Sequence, residues 1–357
     1  MEDRAVRVAV WSTGGIGSHA IRAVTRRPDM DLVGVWVHDP LKVGRDVGEL
    51  AGGETVGLAA TGDATAVVDL GPDCVVYAAS GPERDAGALP DYERFLRAGI
   101  NVVTTTSTQL VFPPAYDPRA RAGLEEAAAA GGASLYASGI FPGFASDQLA
   151  LVAATQSSTV RAIRATEVAL NDHYPVASAM VNGLGFGQPM DFEPMIMTPG
   201  FIPTAWRAPI ALIAAGMGAE LDEVKGRFDR ALTGRPISVA FGTIAAGTVG
   251  AVRTVATGVV GGRDAIVIEH VIRMARDVAP DWPASDHDAT YIVKIDGQPD
   301  IELRMSMGQP EGHGAGHSAM LGTAMRVVNA VPYVVDAPPG LLSSLELPLT
   351  LPRHAFV

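Results

Sequence analysis

Short apolar runs alternate with helical stretches over the first 140 residues. The run Val6–Trp11 is followed by a helical pattern that places Ile21 and Val24 on one face and ends at Pro28. Further apolar runs cover residues 32–37, 74–79, 100–106 and 133–140, and a strong helical pattern at residues 118–132 closes on two glycines. Parallel strands that are buried on both faces appear in a sequence as continuous apolar runs. The alternation therefore predicts an α/β fold with a doubly wound parallel sheet.

The pattern changes after about Phe141. Longer segments rich in β-branched residues, with partial alternation of apolar and polar positions, cover residues 160–170, 263–275, 289–296 and 300–307. They predict a second, α+β domain over residues 141–314, built on a mostly antiparallel sheet. A helical pattern at residues 317–335, ending near Pro332, and an extended tail are expected to return to the first domain. That domain thus comprises residues 1–140 and is completed by about 315–357.

A glycine-rich turn, "WSTGGIGSHA", joins the first predicted strand to the first predicted helix. In a dinucleotide fingerprint the first glycine makes a tight turn, the second admits the pyrophosphate and the third lets the helix pack on the strand. Ser12, Gly14 and Gly17 occupy these places, and we expect the serine to make the turn and its hydroxyl to donate to a phosphate. The free N–H groups of the following helix favour an anion. The predicted cofactor-binding residues here are Ser12, Thr13, Gly14, Gly15, Ile16 and Gly17.

The end of the second predicted strand, "VWVHDPLKVGRD", bears on the choice of dinucleotide. An acidic residue there binds the ribose hydroxyls of NAD, whereas a basic residue tolerates the 2′-phosphate of NADP. Asp39 favours NAD, while His38, Lys42 and Arg45 favour NADP. Because the run ends at Val37 without an acid, the sequence favours NADP and leaves NAD open.

Composition narrows the class of protein. The formal net charge of -12 over 357 residues argues against nucleic acid and anionic membranes as partners. The one cysteine, Cys74, lies in an apolar run, which predicts a buried side chain rather than a nucleophile and fits a reducing compartment. The chain shows neither a signal-peptide pattern nor an apolar run long enough to span a bilayer. We therefore expect a cytoplasmic protein.

Several segments together resemble a known family. "VAVWSTGGIGSHAIRAV", "GRDVGELAG", "GIFPGFASDQLA" and the C-terminal "TAMRVVNAVPYVVDAPPGLLSSLELP" are similar to the dihydrodipicolinate reductase-like family. The similarity is greater to its branch of 2,4-diaminopentanoate dehydrogenases and native amine dehydrogenases. This resemblance implies a Rossmann domain, a substrate-binding and dimerisation domain, a homodimer, and hydride transfer from NAD(P)H to a C=N or C=O carbon. It also implies that the segment Ala79, Ser80 and Gly81 lies near the nicotinamide ribose. Thr105 is a further predicted cofactor-binding residue.

Two departures from the family pattern qualify this resemblance. Dihydrodipicolinate reductase carries a motif close to "ExHHxxK", whereas this chain reads "EVALNDHYPVAS", with one histidine and no lysine, which argues against a role in lysine biosynthesis. Amine dehydrogenases of the branch carry a glutamate in a segment like "TCEEL". This chain reads "TSTQL", with Thr108 and Gln109 in those places. The usual carboxylate for activating ammonia is therefore missing, although the cofactor chemistry is unaffected.

Three groups of residues are candidates for binding or polarising the substrate. In "NDHY", His173 and Tyr174 are predicted proton donors, and Asp172 is predicted to orient His173. Asn171 is predicted to bind the substrate. The alternative is that this segment is only a solvent-exposed turn. In "TTTSTQ", the hydroxyls of Thr106 and Ser107 are predicted to bind substrate and Thr108 to act in catalysis; the alternative is a threonine-rich strand end. The third group, Phe141 and Phe144, is expected to form an apolar wall.

Two histidine-containing motifs are interpreted as non-catalytic. His313 and His317 have helical spacing, but the glycines between them disfavour a helix, so we predict no metal. Glu269 and His270 are adjacent in a strand, so their side chains point to opposite faces and cannot act as a pair.

The sequence thus predicts an NAD(P)-dependent oxidoreductase that acts on a small apolar ketone or imine. Two alternatives stay open. One is an amine dehydrogenase that uses another carboxylate, such as Asp172 or Glu167. The other is a catalytically silent cofactor-binding sensor.

Overall fold

The computed structural model describes residues 4–79, 82–308 and 316–356. Its helices are α1 (Gly15–Arg26), α2 (Val47–Leu50), α3 (Ala64–Asp69), α4 (Pro82–Arg97), α5 (Pro118–Gly131), α6 (Gln148–Ala154), α7 (Phe201–Gly216), α8 (His317–Val328) and α9 (Val331–Val335). Its strands are β1 (Val6–Trp11), β2 (Met30–Trp36), β3 (Cys74–Tyr77), β4 (Asn101–Thr104), β5 (Ser134–Ala137), β6 (Thr159–Leu170), β7 (Glu223–Leu232), β8 (Ile237–Val239), β9 (Gly242–Ile244), β10 (Val249–Val260), β11 (Arg263–Arg273), β12 (Ala289–Gln298), β13 (Ile301–Ser306) and β14 (Gly340–Leu342).

The chain forms two compact units. The first comprises Met1–Gly143 together with Met320–Val357, and the second comprises Phe144–Ala319. Among the described residues no helix is both long enough and apolar enough to cross a lipid bilayer.

The first unit is built on a parallel sheet. Within the described residues its six strands follow the order β14-β5-β4-β3-β1-β2, and every neighbouring pair is parallel. The central strands are buried on both faces, with Val8, Val10 and Val76 fully inaccessible. The prediction of a doubly wound parallel sheet from continuous apolar runs is confirmed. Cys74 is likewise buried in β3, where burial raises the pKa of its thiol.

The C-terminal segment differs from the prediction of one helix followed by an extended tail. α8 ends at Val328, and Pro332 lies in the first turn of the separate helix α9. Proline is tolerated there because first-turn N–H groups have no intrahelical partner. In the tail, Gly340 pairs with Ser134 so that β14 adds an edge strand next to β5. The prediction of a single helix ending near Pro332 was therefore wrong.

The second unit is built on a mostly antiparallel sheet, as predicted. Its order in the described residues is β13-β12-β6-β11-β10-β7, and β6 and β11 form its parallel pair. Helix α7 packs closely on one face, since a Cβ atom at Gly258 would lie 2.4 Å from Ile210 Cγ2. No helix was predicted over residues 201–216, because α7 is apolar around most of its circumference and lacks an amphipathic pattern.

Candidate functional site

The glycine-rich turn begins with a strained serine. Ser12 directly follows β1 and has a φ of 100°, a conformation that L-residues rarely adopt. Its N–H donates to the Trp36 carbonyl at 2.9 Å, and its Oγ accepts a hydrogen bond from the Gly14 N–H at 3.3 Å. The serine thus makes the tight turn that a glycine would make, at a conformational cost of about 1–3 kcal/mol.

The two glycines that follow have different surroundings. A Cβ atom at Gly17 would lie 2.0 Å from the Ser12 carbonyl oxygen, so only glycine allows α1 to pack against the end of β1. A Cβ atom at Gly14 would meet Ser12 Oγ at an ordinary 3.7 Å. No side chain caps α1, whose Ncap is Gly14. The exposed turn therefore offers first-turn N–H groups to an anion, and the fold itself does not require glycine at position 14.

A basic side chain reaches this turn from the segment after β2. Lys42 Nζ donates to Thr13 Oγ1 at 3.2 Å. Asp39, in contrast, uses its carboxylate locally, where Oδ1 accepts from the Leu41 N–H at 3.0 Å and caps a short 3₁₀ turn. His38 is exposed. A positive charge therefore lies beside the turn.

An aromatic stack supports the ends of the same strands. The rings of Trp11 and Trp36 are parallel with centroids 4.3 Å apart, and Tyr77 stacks on the other side of Trp11 at 5.7 Å. Because these residues end or nearly end β1, β2 and β3, the stack fixes the strands from which the turn projects. The stack could not be predicted from the sequence, since it depends on the register between strands.

Most hydroxyls of the "TTTSTQ" segment have partners within the first unit. The Tyr92 hydroxyl lies 2.8 Å from Thr104 Oγ1 and 3.1 Å from Ser107 Oγ. Thr106 Oγ1 donates to the Ala79 carbonyl at 2.5 Å. These bonds hold the turn after β4 against the end of β3. The side chain of Thr108, at the position where the resemblance in sequence implies a glutamate, is exposed.

The remaining predicted residues of the first unit are distributed as follows. Ala79 is buried and Thr105 is half-buried, whereas Ser80 and Gly81 lie outside the described residues. Phe141 belongs to the first unit and Phe144 to the second, and both are half-buried.

The "NDHY" residues form a turn after β6. The Asn171 N–H donates to the Arg273 carbonyl, and the Tyr174 N–H donates to the Asn171 carbonyl. His173 Nδ1 lies 3.5 Å from Asp172 Oδ1, and among the described residues this nitrogen has no hydrogen-bond partner. The ring packs against the Gly316 backbone, where a Cβ atom would lie 2.3 Å from Nε2. The structure therefore places Asp172 beside His173 without a hydrogen bond to orient it.

A second cluster of polar side chains, which the sequence alone does not bring together, lies on the sheet of the second unit. His270, Glu167 and Tyr291 are direct neighbours across β11, β6 and β12. His270 Nε2 lies 3.0 Å from Glu167 Oε2, the Tyr291 hydroxyl donates to the same carboxyl group, and the Trp206 ring of α7 meets His270 edge-on. Burial raises the pKa of Glu167 to about 7 and lowers the pKa of His270 to about 4. Burial and the nearby carboxylate also raise the pKa of Tyr291.

Glu269 lies on the opposite face of the same strand as His270. Its Oε1 accepts from Arg253 Nε at 2.5 Å, and its Oε2 accepts from Arg164 Nη1 at 3.1 Å and Thr166 Oγ1 at 3.0 Å. The prediction that the side chains of Glu269 and His270 point to opposite faces of the strand is confirmed. His270 instead pairs with a residue 103 positions earlier, and only the strand register reveals this partner.

No metal centre is evident in the described part of the chain, where no three His, Cys, Asp or Glu side chains are grouped to hold an ion. His313 lies outside the described residues, and His317 begins α8.

A parallel doubly wound sheet with a glycine-rich turn after its first strand, joined to a second unit with a largely antiparallel sheet, defines the Rossmann class of two-domain oxidoreductases. The model of the 2,4-diaminopentanoate dehydrogenase C-terminal domain matches residues 144–355. The chain is 39% identical over 352 residues to an amine dehydrogenase from Streptomyces virginiae, covering 96% of each chain.

Two solved structures show the same fold. An amine dehydrogenase from Mycobacterium smegmatis superimposes with a TM-score of 0.77 at 22% identity, covering 98% of this chain and 97% of that one. An oxidoreductase from Agrobacterium radiobacter in complex with NAD+, L-tartaric acid and magnesium superimposes with a TM-score of 0.55 at 11% identity, covering 94% and 90%. The chain belongs to the 2,4-diaminopentanoate dehydrogenase family, within the amine dehydrogenase branch, and is an NAD(P)-dependent oxidoreductase. The resemblance found in the sequence is confirmed.

Proposed function

We propose that the protein interconverts an apolar ketone and the corresponding primary amine. The observation that carries this proposal is the 39% identity, over 96% of both chains, to an amine dehydrogenase. In the reductive direction ketone, ammonium, NAD(P)H and a proton give alkylammonium, NAD(P)+ and water. Half-buried Phe144 and the exposed side chains of Met195 and Met197 in the second unit support an apolar substrate.

The cofactor in this proposal is bound at the glycine-rich turn and supplies or accepts the hydride. The pyrophosphate is held by the backbone from Ser12 to Gly17 and by the N-terminus of α1, which no side chain caps. We propose NADP(H) as the preferred form, because Lys42 lies at the turn while Asp39 is engaged in its own cap. Ala79 and Thr105 are proposed to lie near the nicotinamide.

A second candidate is ketone reduction without ammonia. It is favoured by one observation, the exposed threonine at position 108 in place of the glutamate that activates ammonia in the branch. In that reaction the exposed Thr108 hydroxyl orients the carbonyl, and Thr106 and Ser107 hold its turn in place. On the second unit, His173 and Tyr174, with Asn171 and Asp172 beside them, are proposed as proton donors.

Initial rates of nicotinamide oxidation separate the two candidates. A panel of apolar ketones is assayed with NADPH and NADH, in the presence and absence of ammonium, and the amine product is identified by mass spectrometry. Turnover that requires ammonium supports the first proposal, and equal turnover without ammonium supports the second. Tight dinucleotide binding with no turnover on any ketone or amine would refute both and favour a sensor.

We also propose that the protein is a cytoplasmic homodimer that associates through its second unit. The face of the sheet opposite His270 presents Arg164, Arg253, Lys294 and Arg304 around Glu269. Such a mixed-charge face can pair with its own copy about a two-fold axis. Light scattering on the purified chain tests this proposal, and a mass of one chain at micromolar concentration would contradict it.

A further inference from the structure

An open cavity lies on the face of the second sheet opposite helix α7, and no step of the reaction proposed above uses it. Its volume is about 410 Å³, within the range of about 300–1,000 Å³ that is typical of small-molecule sites. All the residues that line it belong to the second unit, so a single unit of a single chain forms it. Strands β6, β10, β12 and β13 each contribute one cation to the lining, namely Arg164, Arg253, Lys294 and Arg304. We call this the basic cavity.

The carboxylate in the lining of the basic cavity is already occupied by donors. Glu269 is 2% exposed, and its Oε1 lies 2.5 Å from both Nε and Nη2 of Arg253. Its Oε2 accepts from Arg164 Nη1 at 3.1 Å and from the Thr166 hydroxyl at 3.0 Å. An arginine carries five N–H donors, and these contacts use only some of them. Both guanidinium groups therefore retain donors for a further acceptor, whereas the carboxylate is satisfied.

The rim of the cavity repeats this excess of positive charge. Lys294 Nζ lies 3.1 Å from Glu302 Oε2, and Arg304 Nε donates to Glu302 Oε1 at 2.7 Å. Asp229, which is opposite Arg253 on β7, has its own partner in Arg227 at 3.3 Å. Among the described residues, the four cations of the cavity thus share two carboxylates. The cavity is positive in a chain whose formal net charge is -12.

Strand register places two of these cations directly opposite each other. Arg164 on β6 and Lys294 on β12 are register partners in an antiparallel pair. Like charges directly opposite each other on adjacent strands destabilise a sheet. An anion bound between them would replace this repulsion with two attractions. The register therefore favours a bound anion at this position.

One wall of the basic cavity is held in place by a buried arginine. Pro283 and Ala284 form this wall, and the Pro283 carbonyl accepts from Arg273 Nη1 at 2.7 Å. Arg273 is 4% exposed, and its guanidinium also donates to three carbonyls within residues 278–282. The cavity thus has a wall fixed by Arg273 and a floor fixed by the contacts of Glu269, so the fold itself maintains its shape.

We propose that the basic cavity binds a small oxyanion that carries two or more negative charges, such as inorganic phosphate or a tricarboxylate. Guanidinium groups bind phosphate and carboxylate oxygens through paired N–H donors. The lining residues in the described part of the chain include no aromatic ring on which a base could stack, which favours a small oxyanion over a nucleotide. The cavity is complete in one chain, so this inference does not depend on the homodimer proposed above.

The anion also bears on that homodimer, because both proposals use the same face of the sheet. Two copies that pair through this face bring positive charge against positive charge. An oxyanion in each cavity lowers that charge, and a ligand that binds the associated form more tightly shifts the equilibrium towards it. Phosphate should therefore favour association of the chain.

The test is titration calorimetry of the full chain with inorganic phosphate and, separately, with citrate, at an ionic strength held constant with chloride. We expect saturable binding that depends on the cavity. Arg304→Gln should raise the dissociation constant about tenfold, since one charge-assisted contact is lost. Arg235→Gln is the matched control and should leave this constant unchanged. Its side chain is 56% exposed, against 55% for Arg304, and it likewise pairs with one exposed carboxylate.

A second rim variant and a second measurement complete the test. Lys294→Gln should also raise the dissociation constant about tenfold, and it serves where Arg304→Gln disturbs the fold. Comparison of the variants isolates the cavity from the glycine-rich turn, which also favours anions. Binding of phosphate alone identifies a phosphate group as the ligand, and binding of citrate alone identifies a carboxylate; either supports the proposal.

Two results would overturn the oxyanion site. One is the absence of saturable binding of both anions, and the other is an equal dissociation constant in the wild type, Arg304→Gln and Lys294→Gln. Light scattering with and without phosphate keeps this proposal distinct from the homodimer. A chain that stays monomeric but binds phosphate in a manner sensitive to Arg304→Gln refutes the homodimer and supports the oxyanion site.

Discussion

The raised pKa of Glu167 has a consequence for stability that can be measured without substrate or cofactor. In an unfolded chain the carboxyl has its ordinary pKa of 4.5, and in the folded protein burial raises this to about 7. Because the folded state binds the proton more tightly, the contribution of Glu167 to stability is fully present below pH 4.5 and is lost as the pH rises through about 7. At 1.36 kcal/mol for each tenfold change in proton affinity, the loss is about 3 kcal/mol.

Replacing Glu167 with glutamine removes this titration and keeps the hydrogen bonds to Tyr291 and His270. The difference in unfolding free energy between wild type and Glu167→Gln should therefore shift by about 3 kcal/mol in favour of the variant between pH 4.5 and 8. The pKa of His270 is lowered by burial, but His270 titrates in both proteins, so its contribution largely cancels in the difference.

The assay is urea or thermal unfolding of both proteins at half-unit steps of pH, with Glu220→Gln as a control on an exposed carboxylate. For a unit of this size the shift corresponds to a change in Tm difference of roughly 5–10 °C. A difference in unfolding free energy that stays constant from pH 4.5 to 8 would refute the inference that burial raises the pKa of Glu167.

Three predictions concern the dinucleotide turn. Ser12→Gly should raise the unfolding free energy by about 1 kcal/mol, because glycine adopts the φ of 100° without strain. Ser12→Ala keeps the strain and loses the hydrogen bond from the Gly14 N–H. Urea unfolding of both variants checks this prediction. Gly14→Ala should leave Tm unchanged but raise the dissociation constant for the dinucleotide at least about tenfold, since the added methyl group occupies the proposed pyrophosphate position. Gly17→Ala should raise this constant and also lower Tm. Titration calorimetry measures the dissociation constants. Lys42→Ala should raise KM for NADPH about tenfold and leave KM for NADH within a factor of about two. The reason is that one charge-assisted hydrogen bond to the 2′-phosphate of NADPH is lost. Equal effects on KM for both cofactors would contradict the proposed preference for NADP(H).

The sheet of the first unit could be predicted because its signal is local. Each of its first five strands contains a short apolar run, and the turn at Ser12 lies between a strand and a helix, where the fingerprint requires it. The edge strand Gly340–Leu342 could not be predicted in the same way, since three residues carry no periodicity and their partner lies some 200 positions earlier. Helix α7 was missed for a related reason, since an apolar sequence without a polar face has no helical period to detect.

The candidate site shows the same limit at the level of single side chains. Glu269 and Glu167 are the same residue type on neighbouring strands, and nothing in their local sequence separates them. One accepts hydrogen bonds from Arg164 and Arg253, which makes it a structural anchor. The other faces a neutral imidazole and a phenol and holds its proton near neutral pH. The difference is set by strand register and by which face each side chain occupies. Two identical side chains on neighbouring strands therefore acquire different surroundings, and no local motif records which of them does.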